Sequence, residues 1–66
     1  MKVLQITKCQ DPLKWYSNLI GKFVPYLGLD EDKPAEWRSK EPAGYTNFIT
    51  FDEAEIVEVA TNPKFY

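Results

Sequence analysis

The stretch Glu36-Trp37-Arg38-Ser39-Lys40-Glu41-Pro42-Ala43-Gly44-Tyr45-Thr46-Asn47-Phe48-Ile49-Thr50-Phe51 decides the fold, because it reads as two strands and a tight turn. Glu36 to Glu41 alternates, with Trp37 and Ser39 on one face and Arg38 and Lys40 on the other. Pro42 suits the second position of a turn and Gly44 its end. Tyr45 to Phe51 is rich in Thr, Phe and Ile, residues that fit a pleated, half-buried surface. The reading is a β-hairpin, and the rest of the chain must supply strands for it to pack against.

Upstream, Phe23, Pro25 and Leu27 alternate with Val24, Tyr26 and Gly28. Pro25 has no N–H for a ladder, so this strand belongs at an edge or carries a bulge. Asp30 to Pro34 has no apolar anchor and is expected as an acidic loop. Asp11-Pro12 is a helix start signal, Trp15, Tyr16, Leu19 and Ile20 follow at helical spacing, and Gly21 closes the segment. A helix over Asp11–Gly21 is expected. Lys2 to Thr7 reads as the first strand. Downstream, Asp52-Glu53-Ala54 reads as one helical turn capped by Asp52, and Ile56, Val57 and Val59 as a last strand.

Strand, helix, strand, hairpin, helical turn, strand is the plan of a five-stranded SH3-like barrel. The expected fold is therefore mainly β, a small SH3-like domain over residues 1–60 with a helix in its first connection and a tail over 61–66. The competing arrangement is an open antiparallel sheet with the helix packed across one face.

Sixty-six residues make one domain with a small core. Cys9 is the only cysteine and histidine is absent. An internal disulfide and a Cys/His zinc site are thereby excluded, and no cofactor is expected. Ten aromatic rings are the available packing material. Homo-oligomerisation is the other usual remedy for so small a core. The lone cysteine fits a reducing compartment. The N-terminal apolar run is too short for a signal peptide, and no stretch approaches the roughly 18 apolar residues of a membrane helix. The chain is read as a cytoplasmic protein, complete from Met1, with no membrane partner.

Net charge is −2, whereas nucleic-acid binders carry basic surfaces. The acids at Asp30-Glu31-Asp32, Glu36 and Asp52 to Glu58 read as solvated charge; an acidic face for a basic partner is the sharper alternative. Enzymes need positioned groups of tuned pKa. Cys9 lacks a histidine base, so it reads as a free thiol. Glu53, Glu55 and Glu58 do not match a calcium loop and read as solvated. The three glycines stand alone, so there is no phosphate loop. A non-enzymatic function is expected.

Binding has better candidates. Trp37, Arg38, Lys40, Tyr45 and Asn47 concentrate on the hairpin, and Trp, Tyr and Arg are enriched at interface hot spots. Alternation forbids Trp37 and Arg38 from sharing a face: with Trp37 in the core, Arg38 and Lys40 are displayed. Trp37 with Phe48 or Ile49 filling the core is the competing account of these rings.

Trp15-Tyr16, Leu19-Ile20-Gly21-Lys22-Phe23, Gly44-Tyr45-Thr46-Asn47-Phe48-Ile49 and Asp52-Glu53-Ala54-Glu55-Ile56-Val57 form a set. Over residues 12–59 the set resembles small uncharacterised bacteriophage and prophage proteins, in which "WY…IG..F" precedes "GY.N.V..DAE.V". Asp52-Glu53-Ala54-Glu55 is looser than the Asp-Ala-Glu ending of that pattern. The resemblance implies a phage accessory protein that binds and modulates a host protein in the host cytoplasm. Nucleic-acid association through a small barrel and a self-assembling structural component are the alternatives.

Overall fold

Leu4 and Ile6 of the first strand, β1 (Lys2–Ile6), point into the core and are fully buried. Val3, on the opposite face between Pro25 and Val57 in the register, is fully buried as well. A strand buried on both faces must be central. In this computed structural model β1 is flanked by β2 (Phe23–Pro25) and β6 (Ala54–Glu58), both antiparallel to it. Residues 1–30 and 32–66 are described. Glu31 of the expected acidic loop lies outside the described residues, as do the side chains at 30, 33 and 34.

The second sheet runs in the order β3 (Leu29–Asp30), β4 (Lys33–Lys40), β5 (Thr46–Thr50), all antiparallel. β4 and β5 form the expected hairpin, with Trp37 opposite Ile49 and Arg38 opposite Phe48. Gly44 N–H donates to Glu41 C=O at 2.8 Å, and Gly44 has φ 97°, a conformation costly for any residue with a Cβ. The expected acidic loop is narrower than its composition suggested: Asp30 and Lys33 are already register partners.

Pro25 sits where its missing N–H costs nothing. β2 is an edge strand of its sheet, and Ile6 N–H bonds Lys22 C=O, so the polar groups of Phe23 and Pro25 face away from β1. Those outward carbonyls are used. Ser39 Oγ, itself fully buried, donates to Pro25 C=O at 2.7 Å, and Tyr66 N–H donates to Phe23 C=O at 3.1 Å. The tail therefore packs back onto β2, and the Tyr66 hydroxyl reaches Lys40 C=O at the far end of β4.

Two expectations need correction. The described strands form two open sheets rather than a closed barrel. The second expected strand breaks at Leu27-Gly28, where both residues bond the single residue Arg38; Gly28 adopts φ 95°, and the chain bends from one sheet to the other. The expected helix over Asp11–Gly21 is also absent among the described residues. Its backbone bonds span three residues, Lys14 N–H to Asp11 C=O, Ser17 to Lys14, Leu19 to Tyr16 and Lys22 to Leu19, giving successive turns. Asp11 behaves as an Asx turn, its Oδ1 accepting Leu13 N–H at 2.9 Å.

The reason is tertiary. Lys14, Trp15 and Tyr16 are consecutive, and all three side chains are drawn onto the β5–β6 side of the molecule. Consecutive residues on a helix diverge by roughly 100° each and do not face one another. Asp, Pro, Ser and Asn in the same stretch offer little helical propensity to resist. The apolar positions did find the core: Tyr16 and Leu19 join Leu4, Ile6, Val24, Ile49 and Ala54, with Cys9, Trp15, Tyr26 and Trp37 packed around them.

Candidate functional site

The connection between β1 and β2 lies along the free edge of β5. Glu41 N–H bonds Tyr45 C=O, and Phe51 N–H bonds Ala35 C=O. Asn47 and Ile49 therefore bond inward to β4, while the polar groups of Thr46, Phe48 and Thr50 face outward. Trp15 Nε1–H donates to the Phe48 carbonyl at 3.1 Å, and the Asn47 side chain accepts from the Phe48 N–H at 2.8 Å. Asn47 Nδ2 is held in turn by Glu41 at 2.7 Å. An edge that would otherwise template another strand is thus closed by an indole and an amide. Replacing Trp15 by Phe together with Asn47 by Ala is expected to raise light scattering of concentrated protein above that of the parent chain. Unchanged scattering would count against this edge-capping role.

Beneath Trp15 lies the main polar feature of the molecule. Glu53 is buried at the turn between β5 and β6. Its Oε1 accepts from Lys14 Nζ at 2.8 Å, the Tyr16 hydroxyl at 2.5 Å and Thr50 Oγ1 at 3.1 Å, and its Oε2 accepts from Gln10 N–H at 2.7 Å. Burial alone would raise the Glu53 pKa, but the bonds from Lys14, Tyr16, Gln10 and Thr50 prevail and hold it at about 2. The bond to Glu53 in turn raises Lys14 above its ordinary value, and burial followed by the Glu53 bond raises the Tyr16 phenol. The expectation that Glu53 is solvated charge is overturned. Glu55 and Glu58 are exposed, as expected, and Glu58 pairs with the Met1 ammonium at 2.8 Å.

This network pins residues 10–16 against the second sheet, and the pinned segment forms one wall of a cleft of about 420 Å³. Leu13, Lys14, Trp15 and Tyr16 line one side; Glu36, Asn47, Phe48 and Thr50 line the other. Trp15 and Tyr16 meet edge-to-face with centroids 5.4 Å apart, which fixes the indole in the wall. Leu13, at the lip, is 91% exposed.

The five candidate residues from the sequence divide between two faces. Arg38 and Lys40 lie on the outer face of the hairpin, where Arg38 is the cross-strand partner of the cleft residue Phe48. Trp37 lies on the inner face, half-buried, against Ile49 in the register and with its ring 4.7 Å from Phe51. Asn47 shares that inner face by register and reaches the cleft at the edge of β5. Tyr45, on the turn, is 71% exposed. Arg38, Lys40 and Asn47 thus border the cleft side of the hairpin, Tyr45 stands at its tip, and Trp37 belongs to the opposite face.

Sequence reasoning missed Trp15, Phe48 and Leu13 as neighbours because they meet only across 33 residues of chain. Sequence motifs gave no cue to Glu53 either, since its partners come from positions 10, 14, 16 and 50. No group of three or more Cys, Asp or Glu residues placed to hold a metal ion occurs among the described residues, and no helix there is long and apolar enough to cross a membrane. Comparison with known proteins finds no matching family model, no matching curated protein and no matching solved structure.

Proposed function

We propose that the chain is a small non-enzymatic binding protein, of the phage accessory type its motifs resemble, that engages a host protein in the host cytoplasm. The observation carrying this reading is the cleft along β5. A pre-formed concavity with Trp15 and Phe48 in its walls and a few placed polar groups suits recognition of a protein segment. Arg38 beside Phe48, Lys40 further along the strand and the exposed Tyr45 extend it into a surface of hot-spot residue types. The connectivity supports an SH3-like plan in open form: β2 and β3 act as one bent strand, and the chain returns to the first sheet through the turn at 51–53.

Affinity capture from bacterial lysate followed by mass spectrometry tests this. One stoichiometric partner is expected, with retention reduced about tenfold or more by Arg38→Glu or Tyr45→Ala, a loss typical of hot-spot truncation. Both residues are outside the core, so circular dichroism should remain unchanged. Full retention by both variants removes the surface from consideration. Nucleic-acid association would draw on Arg38 and Lys40 with base stacking on the exposed Tyr45, since Trp37 is packed against Phe51 and the core. Salt-sensitive anisotropy of a labelled single strand would support it.

A further inference from the structure

The outer strands of the two sheets are β2 and β6 in the first, β3 and β5 in the second. On β5 the Trp15 indole and the Asn47 amide hold the outward groups of Phe48. On β2 the outward carbonyls of Pro25 and Phe23 accept from Ser39 and Tyr66. β3 is only two residues long, and so short an edge offers little to pair with. β6 has no such protection.

Its ladder fixes which groups are open. Thr7 N–H donates to Glu53 C=O at 2.9 Å, and Val59 N–H donates to Met1 C=O at 2.8 Å. Glu55 and Val57 therefore bond inward to β1, while the N–H and C=O groups of Ala54, Ile56 and Glu58 face outward. No described residue donates to or accepts from these outward backbone groups. An open row of this kind is matched in full by an extended strand laid alongside it.

The side chains of β6 complement a second β6. A two-fold axis through Ile56 sets two copies antiparallel, with Ile56 against Ile56, Ala54 against Glu58 and Glu55 against Val57. No acid then stands directly opposite an acid. An axis at Glu55 would set that carboxylate against its own copy, and one at Val57 would carry Ala54 past the end of the facing strand. The edge does not call for a basic partner, because Glu58 is already paired with the Met1 ammonium at 2.8 Å and stands opposite Lys2 in the register. Ile56, 41% exposed beside the fully buried Leu4, would be covered by its copy. So short a chain gains apolar burial that its own length denies it.

We propose that β6 is a dimerisation edge, through which two copies pair antiparallel over Ala54–Glu58 and join their first sheets into one continuous sheet. None of the cleft residues belongs to β6, so the pairing is independent of host-protein binding at the cleft.

The test is sedimentation of the full chain from micromolar to millimolar concentration, with amide hydrogen exchange followed by NMR over the same range. A shift from the mass of one chain to that of two is expected. Exchange at Ile56 and Glu58 should slow as the dimer fills, and exchange at the outward Thr46 amide of β5 should not. Ile56→Lys places two ammonium groups face to face at the axis and should raise the dimer dissociation constant about tenfold or more. Ile56→Pro removes an outward N–H, as Pro25 does on β2, and should act in the same direction. The exposure of Ile56 keeps the lysine variant folded, which circular dichroism checks; if the proline variant does not fold, the lysine variant decides. A single-chain mass throughout, a dimer unaffected by Ile56→Lys, or slowed exchange at Thr46 in place of Ile56 and Glu58 would each overturn the proposal. So would protection of Ile56 and Glu58 that appears only on adding bacterial lysate, which would assign the edge to a strand of another protein.

Discussion

Glu53→Ala is expected to lower unfolding free energy by about 3 kcal/mol, the range for breaking a buried ion pair from one side. The loss has a defined structure. Lys14 is a third exposed and can turn to water, but the Tyr16 hydroxyl is buried and loses its acceptor. An orphaned buried donor costs on the order of 1–3 kcal/mol by itself. Gln10 N–H and Thr50 lose partners as well. For a 66-residue chain the total stability is on the order of 3–10 kcal/mol, so the variant stands close to unfolding at room temperature. Urea titration should show a lower midpoint with little change in slope. A midpoint matching the parent would remove the network from its central place.

The same cluster sets the pH profile. The Glu53 pKa falls from 4.5 to about 2 on folding. Its contribution is complete above pH 4.5 and is lost as pH falls from there toward 2, because the unfolded chain takes up the proton first. Lys14 is raised above 10.5 and Tyr16 above 10.0, so their contributions are complete below about pH 10 and fade as pH climbs past it. The carboxyl therefore governs the acid limb, while its two partners govern the alkaline one. Glu53→Gln keeps the shape and an acceptor oxygen but has no charge to lose. Its stability should fall less than the parent's between pH 4.5 and 2; parallel acid limbs would place the effect elsewhere.

The second large effect is at Ile49. Fully buried where β5 faces the other sheet, it belongs to the cluster with Leu4, Ile6, Tyr16 and Val24. Ile49→Ala removes its packing and leaves a cavity that two stiff sheets close poorly, costing about 3 kcal/mol. Ile56→Ala is the comparison. Ile56 is paired to Leu4 across the ladder, yet it lies on the edge strand β6 and is 41% exposed. Its truncation should cost about 1 kcal/mol or less. Equal losses at the two positions, measured by the same urea titration, would contradict the packing described above.

Those two isoleucines show where sequence reasoning stops. Both stand in short β-rich runs, and nothing local separates a core position from an edge position. Packing between the sheets does: β5 and β6 both end their sheets, yet Ile49 is covered by the core and Ile56 is left 41% exposed. The candidate site divides in the same way. Alternation placed Arg38 and Lys40 opposite Trp37, and the register bears that out. The cleft brings Leu13 and Trp15 to Phe48 through a fold-level contact with no trace in the hairpin's own residues.

What the sequence determined by itself is what depends on neighbours within a few positions. The two-residue period of 36–41 and 45–51, Pro42 and Gly44 between them, and Pro25 at an edge all rest on backbone chemistry that acts locally. The helix expected over 11–21 rested on equally local signals and did not form. There three consecutive side chains found stronger partners on β5 and at the following turn, and long-range bonds to a buried carboxylate outweighed a few tenths of a kcal/mol per residue of helix propensity. The same competition turned Glu53 from an acid in an acidic run into the anchor of the first connection. A charge is solvated or buried according to which donors the folded chain delivers to it, and those came from four separate places in the sequence.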